Sequence, residues 1–283
     1  MPLSTRAPCR PESLPTATMQ VMPAGAALGA EIRGVDLAQR LSTAQVALIR
    51  QALLDHCVLC FRDQHISDDD QVRFTRHFGT PVEHVRKQRA RRVKEIFIIS
   101  NVKENGEPIG ALGNDLIDFH SDLSYLPKPG TASLLYAVEI PDQGGQTQWV
   151  DCRAAYAALP APQQTWLRTL RAVHRHYVAA QNPPEPTIHP VVRRHPETGR
   201  LSLYVSPHLT SHVHDMPRDE GDNLLRELYR HMDQPQFIYT HQWQVGDLVI
   251  WDNRPTMHRR LPFPDAQRRI MNRTQIFGEE VVE

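Results

Sequence analysis

Apolar residues along this chain fall into short runs cut by Gly, Pro and Asp, and only a few stretches carry helical spacing. Residues 20–37 hold short apolar segments broken by Gly25, Gly29 and Gly34, which predicts a strand pair with tight turns. Ser42 and Gln45 form a capping box ahead of Val46, Ile49 and Leu53 at helical spacing. Residues 58–61 read as a buried strand. Ser67 then caps a second helix through Val72, Phe74 and Phe78, with Asp68, Asp69 and Asp70 favourable in its first turn and Gly79 closing it. Residues 96–99 predict a short strand, and the polar stretch 102–118 a loop that delivers the chain to Phe119-His120-Ser121-Asp122. A strand over 134–138 and a strong turn at 141–145 follow. Residues 147–150 are extended, and Asp151 caps a helix through Tyr156 and Leu159. A further helix is expected over 162–170, a long Pro- and His-rich excursion over 181–200, a strand over 201–205 and a helix over 222–232. Three strand-like runs, 237–243, 247–251 and 269–277, close the chain.

Strands dominate the second half, with helices between them. This predicts a mixed α+β fold that is mainly β: a double-sheet sandwich or jelly roll flanked by helices. With 283 residues, 40% of them hydrophobic, the chain has enough apolar surface for one large domain, and no apolar run reaches membrane-span length. Residues 1–18, rich in Pro, Ser, Thr and Arg, read as a disordered tail, with Met19 as an alternative start, so the expected domain spans 19–283. The tail lacks a signal-peptide pattern, which favours a cytoplasmic protein. Thirty-two acidic and 32 basic residues cancel, so nothing global points to nucleic acid or a membrane surface. Four Cys are too few for a disulfide framework, and Cys57 and Cys60 lie in an apolar run with no second pair to complete a zinc site.

The chemistry gathers at His120 and Asp122. On an extended segment, residues two apart point to one face, and an imidazole beside a carboxylate is two-thirds of the facial triad that holds non-haem Fe(II) with open positions. His231 and Asp233 repeat the spacing, but on a helical pattern, where residues two apart diverge. A third ligand must come from elsewhere, and His258, past the apolar strand and the loop 252–257, is the candidate. Arg269 and Arg273, four apart on a strand-like run, share a face, whereas Arg268 is out of phase and fits the surface. Two inward guanidiniums need anions, and a di-acid beside a metal would supply them. The basic run over 86–94, which includes Lys87, is either a solvated loop or a flap over a site for an anionic substrate.

The set Trp251-Asp252-Asn253-Arg254, His258 and Arg268-Arg269-Ile270-Met271-Asn272-Arg273 resembles the C-terminal signature of the taurine dioxygenase / 2,4-dichlorophenoxyacetate dioxygenase family of Fe(II)- and 2-oxoglutarate-dependent oxygenases. Phe119-His120-Ser121-Asp122 with Gly144-Gly145-Gln146-Thr147 resembles its upstream half, as do Gly34-Val35-Asp36-Leu37, Phe78-Gly79 and His195-Pro196-Glu197-Thr198-Gly199-Arg200. The resemblance covers roughly residues 20–278. It implies a double-stranded β-helix (jelly roll), with His120, Asp122 and His258 as iron ligands. It implies Arg269 on the distal carboxylate of 2-oxoglutarate with Thr147 assisting, and Arg273 on the other carboxylate or on the substrate's acid group. His84 stands where the taurine enzyme carries a sulfonate-binding His, but Lys87 replaces the Tyr of that enzyme, which argues against taurine itself. Asn101, His208 and His212 are weaker candidates for the pocket. The implied chemistry consumes 2-oxoglutarate and O2, gives succinate and CO2, and hydroxylates a substrate C–H. Beside an ether, sulfonate or sulfate ester, that hydroxylation cleaves the substrate. A dimer or tetramer is also implied.

The basic segment, His84 and Arg273 favour a small anionic substrate. Segments 99–102 and 151–156 look closer to the aryloxyacetate-cleaving branch than to the taurine branch. Two other readings remain: a metal-binding jelly roll without turnover, and a zinc hydrolase on the same ligands. A pure metal binder has no need of Arg269 and Thr147, and a hydrolase needs a general base that the sequence does not offer.

Overall fold

The computed structural model describes residues 18–84, 91–279 and 281–282. The chain begins with strands β1 (Gln20–Pro23) and β2 (Ala30–Arg33), helix α1 (Thr43–His56), β3 (Val58–Phe61) and α2 (Asp68–Thr75). Then come β4 (Phe97–Ser100), the short β5 (Lys103–Glu104), β6 (Glu107–Pro108) and β7 (Ala111–Leu112), β8 (Ile117–His120), β9 (Gly130–Glu139) and β10 (Thr147–Asp151). Helices α3 (Cys152–Ala157) and α4 (Ala161–Leu167) precede β11 (Arg171–His174), β12 (Thr187–Pro190), β13 (Val192–Arg194), β14 (Leu201–Leu203) and β15 (Thr210–Val213). Helix α5 (Arg218–Met232), β16 (Ile238–His241), β17 (Leu248–Asp252), β18 (Thr256–Arg260) and β19 (Ile270–Phe277) complete the chain. No helix among the described residues is long and apolar enough to cross a membrane.

Two sheets make the jelly roll. The larger runs β1-β2-β3-β17-β9-β19-β4-β7, and the smaller β16-β10-β18-β8. The larger sheet is covered on both faces, which explains the unbroken apolar run of β17, every residue of which is buried. One face, with Leu59, Phe61, Leu134 and Ile250, packs against α1 through Ile49, Ala52 and Leu53. The other, with Leu135, Val249 and Trp251, faces the smaller sheet through Trp149. Leu and aromatic side chains of this size each contribute roughly 1.5–3 kcal/mol on full burial. The smaller sheet alternates instead: Phe119 and Met257 pack outward into the cluster of α3 and α5, and their neighbours His120 and His258 are thereby turned inward.

Local rules hold at the helix starts. Ser42 with Gln45 and Ser67 with Asp70 form reciprocal capping boxes, and Asp151 accepts from the Arg153 and Ala154 amides. Several expected boundaries shift. Helix α2 ends at Thr75 rather than at Gly79, whose role is a close approach: a Cβ there would lie 2.6 Å from Ile276 Cγ2. The 181–200 excursion holds β12 and β13: Pro190 closes β12, and the other Pro residues lie outside both strands. The 102–118 loop carries β5, β6 and β7. The expected tail, apart from residue 18, and residues 85–90 of the basic run lie outside the described residues.

At the turn before β10, Gly144 has φ +78, and a Cβ would meet the Pro262 carbonyl oxygen and lie 2.9 Å from Phe263 Cα. Both contacts are backbone and cannot step aside. Gly144→Ala is therefore expected to destabilise the fold by about 2 kcal/mol or more. Thermal denaturation checks this, and an unchanged midpoint would show that the turn can relax.

Candidate active site

A cavity of about 320 Å³ opens between the two sheets. His120 ends β8 and His258 sits in the middle of β18, directly opposite it in the ladder, with ring centroids 4.2 Å apart. The expected geometry differs at two points. His258 lies on a strand rather than in a loop past one. Asp122 lies in the turn after β8 rather than on the strand itself, and the turn is tightened by Leu123 at φ +60. The three groups still converge: each offers a ligand atom within 4.8 Å of the others.

Each ligand atom is presented by its neighbours. His120 Nδ1 donates to the Asp118 carbonyl at 2.8 Å, which leaves the Nε2 lone pair for a cation. Ser133 Oγ donates to Asp122 Oδ2 at 2.6 Å. Asn253 links the two, since its Nδ2 donates to Ser133 Oγ while its Oδ1 accepts from the Asp122 amide and from Trp251 Nε1. Burial pushes the His258 ring down to about 3, helped by His120 alongside. Burial also lowers His120. Asp122 would be raised by burial, but Arg273, His258 and His120 overcome this and hold it below the ordinary carboxylate range. Two neutral imidazoles and one carboxylate form a donor set suited to Fe(II).

Arg269 stands just before β19. It is 2% exposed, and its Nε and Nη2 are buried without an acceptor. Burial, and Arg260 next to it, lower its pKa to about 9. A lone guanidinium in such a place is costly unless an anion joins it. Gly145, at φ +70, lies against it: a Cβ there would sit in ordinary contact with Arg269 Cδ and Nε at 3.6 Å. Thr147, at the start of β10, lines the same cavity, and its Oγ1 accepts from Trp243 Nε1 at 3.0 Å. The Thr147 hydroxyl hydrogen is therefore free to turn toward a ligand.

Arg273 reaches the ligand cluster, with Nη1 3.5 Å from Asp122 Oδ1. Its Nη2 donates to His84 Nε2 at 2.6 Å, and His84 stacks on Phe97 at 3.8 Å. Arg268 pairs with Glu139 at the surface, as its phase predicts. The outer wall is made by Leu112, Leu116, Ile117, Leu209, Tyr125, His176, Tyr177 and His208.

Other candidates go elsewhere. Asn101 does not line the cavity. Its Oδ1 accepts from the Arg269 amide and its Nδ2 donates to the Gln267 carbonyl, so it fixes the backbone that carries Arg269. His208 lines the cavity, but His212 lies on β15 away from it. Arg91 and Arg92 pair with Asp68 and Asp69 of α2 instead of facing the site, and Lys87 lies outside the described residues. Cys60 is buried with His241 and Asp247, in a second cluster of possible ligand atoms. There Asp247 Oδ2 already accepts from Arg62, His241 and the Gln244 amide, which marks a hydrogen-bonded strut.

Sequence reasoning did not single out Ser133, Trp243, Arg260 or the 112–117 wall. Only Arg260 carried a signal, its two-residue spacing from His258 on one strand.

The family model described as taurine catabolism dioxygenase TauD, TfdA family matches residues 20–275. The alpha-ketoglutarate-dependent 2,4-dichlorophenoxyacetate dioxygenase of Cupriavidus pinatubonensis is 37% identical over 89% of this chain and 96% of its own length. The alkylsulfatase of Acinetobacter baylyi is 32% identical over 94% of this chain and 87% of its own. The crystal structure of AAD-2 in complex with Mn(II) and N-oxalylglycine superposes with a TM-score of 0.80, at 30% identity over 94% of this chain and 99% of that one.

Proposed function

Since this chain belongs to the TauD, TfdA family and is a 2-oxoglutarate-dependent dioxygenase that uses Fe(II) and O2, we propose that His120, Asp122 and His258 hold the iron and that Arg269 and Thr147 hold the distal carboxylate of 2-oxoglutarate. One observation carries this reading: a set of two His and one carboxylate, with Asp122 and His258 buried and His120 partly so, opens on the same cavity as a buried guanidinium whose Nε and Nη2 lack acceptors. A metal binder without turnover, or a zinc hydrolase, has no use for that second feature.

Fe(II) with 2-oxoglutarate supplies an O2-dependent oxidative decarboxylation that gives succinate and CO2 and places one oxygen atom on a substrate C–H. The protein's residues bind and orient. The Asp118 carbonyl fixes the His120 tautomer, and Ser133 and Asn253 aim the Asp122 carboxylate. Trp243 holds the Thr147 oxygen so that its hydrogen points to the cosubstrate. Arg273, with His84 on its Nη2, offers positive charge beside the metal position for the second carboxylate or the substrate's acid group. Leu112, Leu116 and Leu209 exclude water from the reacting C–H.

The substrate is a small anion, an aryloxyalkanoate ahead of a sulfonate or alkyl sulfate. The ring wall supports this order: Tyr177 meets His208 at 5.4 Å, and His208 meets His120 at 5.3 Å, so an aryl body could stack beside the metal position. A single catalytic domain over 19–283, a dimer or tetramer and a cytoplasmic location belong to the same proposal, and sedimentation checks the assembly.

The test is anaerobic titration of the apo-protein with Fe(II) and then 2-oxoglutarate. A weak visible charge-transfer band is expected only when both are present. Succinate release is then screened over aryloxyalkanoates, sulfonates and alkyl sulfates. Metal binding without the band would overturn the cosubstrate assignment, and succinate release with none of the three classes would overturn the substrate class.

A further inference from the structure

Arg260 lies two residues after His258 on β18, so its side chain enters the same cavity, and it pairs across the ladder with Thr147. It is 5% exposed. Its Nη1 donates to the Leu112 carbonyl at 2.8 Å and the Gly113 carbonyl at 2.9 Å, and its Nη2 donates to the Asp115 carbonyl. Its Nε is buried and lacks an acceptor. Arg269 lines the same cavity, and the positive charge of Arg260 adds to burial in lowering the Arg269 pKa.

The segment seated by those three bonds needs holding. Leu112 has φ +73, a backbone region that a branched side chain rarely adopts, and Gly113 follows at φ +36. Leu112, Asp115, Leu116 and Ile117 all line the cavity, and the segment runs directly into His120. Leu116, at 53% exposed, stands at the mouth.

We propose that Arg260 couples the cosubstrate end of the cavity to the substrate wall, seating residues 112–115 with one side of its guanidinium and facing the distal carboxylate of 2-oxoglutarate with the other. The inference rests on the proposed function, since it needs a dicarboxylate at Arg269. Without that anion, the two guanidiniums push apart and strain the seat of the wall. With it, the repulsion is cancelled and the three carbonyl bonds tighten. The wall that selects the substrate is thus set only when cosubstrate is in place. Arg260 is a positioning residue for specificity and takes no part in the bond changes.

The experiment separates the charge of Arg260 from its planar fork. Hydrogen exchange over 109–117 is followed in Mn(II)-loaded wild type, Arg260→Met and Arg260→Lys, with and without 2-oxoglutarate, and calorimetry gives the 2-oxoglutarate affinity of each. In wild type, 2-oxoglutarate should slow exchange of 112–117 by about 10-fold. Both variants should exchange about 10-fold faster than wild type, with no response to 2-oxoglutarate, because neither side chain makes the fork. Affinity should fall about 10-fold in Arg260→Met and within about 3-fold in Arg260→Lys, which keeps the cation. A purely structural Arg260 would change exchange but leave it equally responsive to 2-oxoglutarate, which overturns the coupling. Unchanged affinity in Arg260→Met overturns the contact with the carboxylate. If wild type fails to bind 2-oxoglutarate at all, the proposed function falls, and that outcome is distinct from the other two.

Discussion

Asp122→Ala is expected to remove Fe(II) binding and with it all 2-oxoglutarate-dependent absorbance and turnover. The carboxylate is the only anionic group of the three, and its loss leaves two neutral imidazoles beside Arg273. Loss of a partner behind a ligand typically costs 10–100-fold in metal affinity, so loss of the ligand itself should cost at least about 100-fold. A second effect follows from the same burial. Asp122 is 5% exposed and offsets the Arg273 guanidinium 3.5 Å away. Breaking a buried pair from one side costs roughly 3–5 kcal/mol. The variant should therefore melt lower than wild type before any metal is added. Asp122→Asn separates the two effects, since the amide keeps the volume and an oxygen for Ser133 while losing the charge that a divalent cation needs. Both variants should fail to bind Mn(II) in calorimetry. An Asp122→Ala protein that still gives the Fe(II)–2-oxoglutarate band would sink the ligand assignment.

Much of the fold was legible because local rules and burial agree. The capping boxes at Ser42 and Ser67 are short-range hydrogen bonds that need no tertiary partner. The apolar run of β17 reads as a strand, and the reason it is unbroken is that the structure covers it on both faces. Boundaries failed where distant residues decide them. Residues 187–194 form strands only because β11 and β14 lie alongside. His258 is drawn into β18 by pairing with Trp149 and His120. At the site, charged types in phase were readable: Arg269 and Arg273 are buried and Arg268 is not. The supporting shell was not readable, since Ser133 and Trp243 are ordinary strand and turn residues until β9 and β16 bring them to Asp122 and Thr147. Asn101 misled for the same reason, as its side chain is claimed by the backbone of Arg269.

The signature around Asp252 shows how scaffold and site share residues. Asp252 accepts from His195 at 3.0 Å and from Arg254 at 2.6 Å, and Arg254 also pairs with Glu197. None of these touches the cavity. They fix the turn between β17 and β18, and that turn aims Asn253 at Ser133 and Asp122. His195 and Glu197, 55 or more residues away in sequence, thus act on the ligand cluster through a rigid turn.

Arg269→Leu should abolish saturable 2-oxoglutarate binding while leaving the metal-free protein at least as stable as wild type. A bidentate, charge-assisted pair with a carboxylate contributes roughly 3–6 kcal/mol, at about 1.5–3 kcal/mol for each bond, so the dissociation constant should rise by 100-fold or more. Stability moves the other way. Without cosubstrate, wild type holds a guanidinium that is 2% exposed, with Nε and Nη2 unsatisfied and Arg260 close by. Replacing such a charge with an apolar side chain of similar volume is often neutral or stabilising by about 1–4 kcal/mol. Ligand linkage then makes the two melting curves cross. At 100 times its dissociation constant, 2-oxoglutarate adds about 2.7 kcal/mol to wild type, a shift of several degrees for a domain of this size. The variant gains nothing. Thermal melts of the Mn(II)-loaded proteins, with and without 2-oxoglutarate, should show the variant at or above wild type in its absence and below it in its presence. A variant that melts far below wild type without 2-oxoglutarate would mean that Arg269 already has an internal partner and is a structural cation. A variant that still gains the full shift would place the cosubstrate on Arg273 instead.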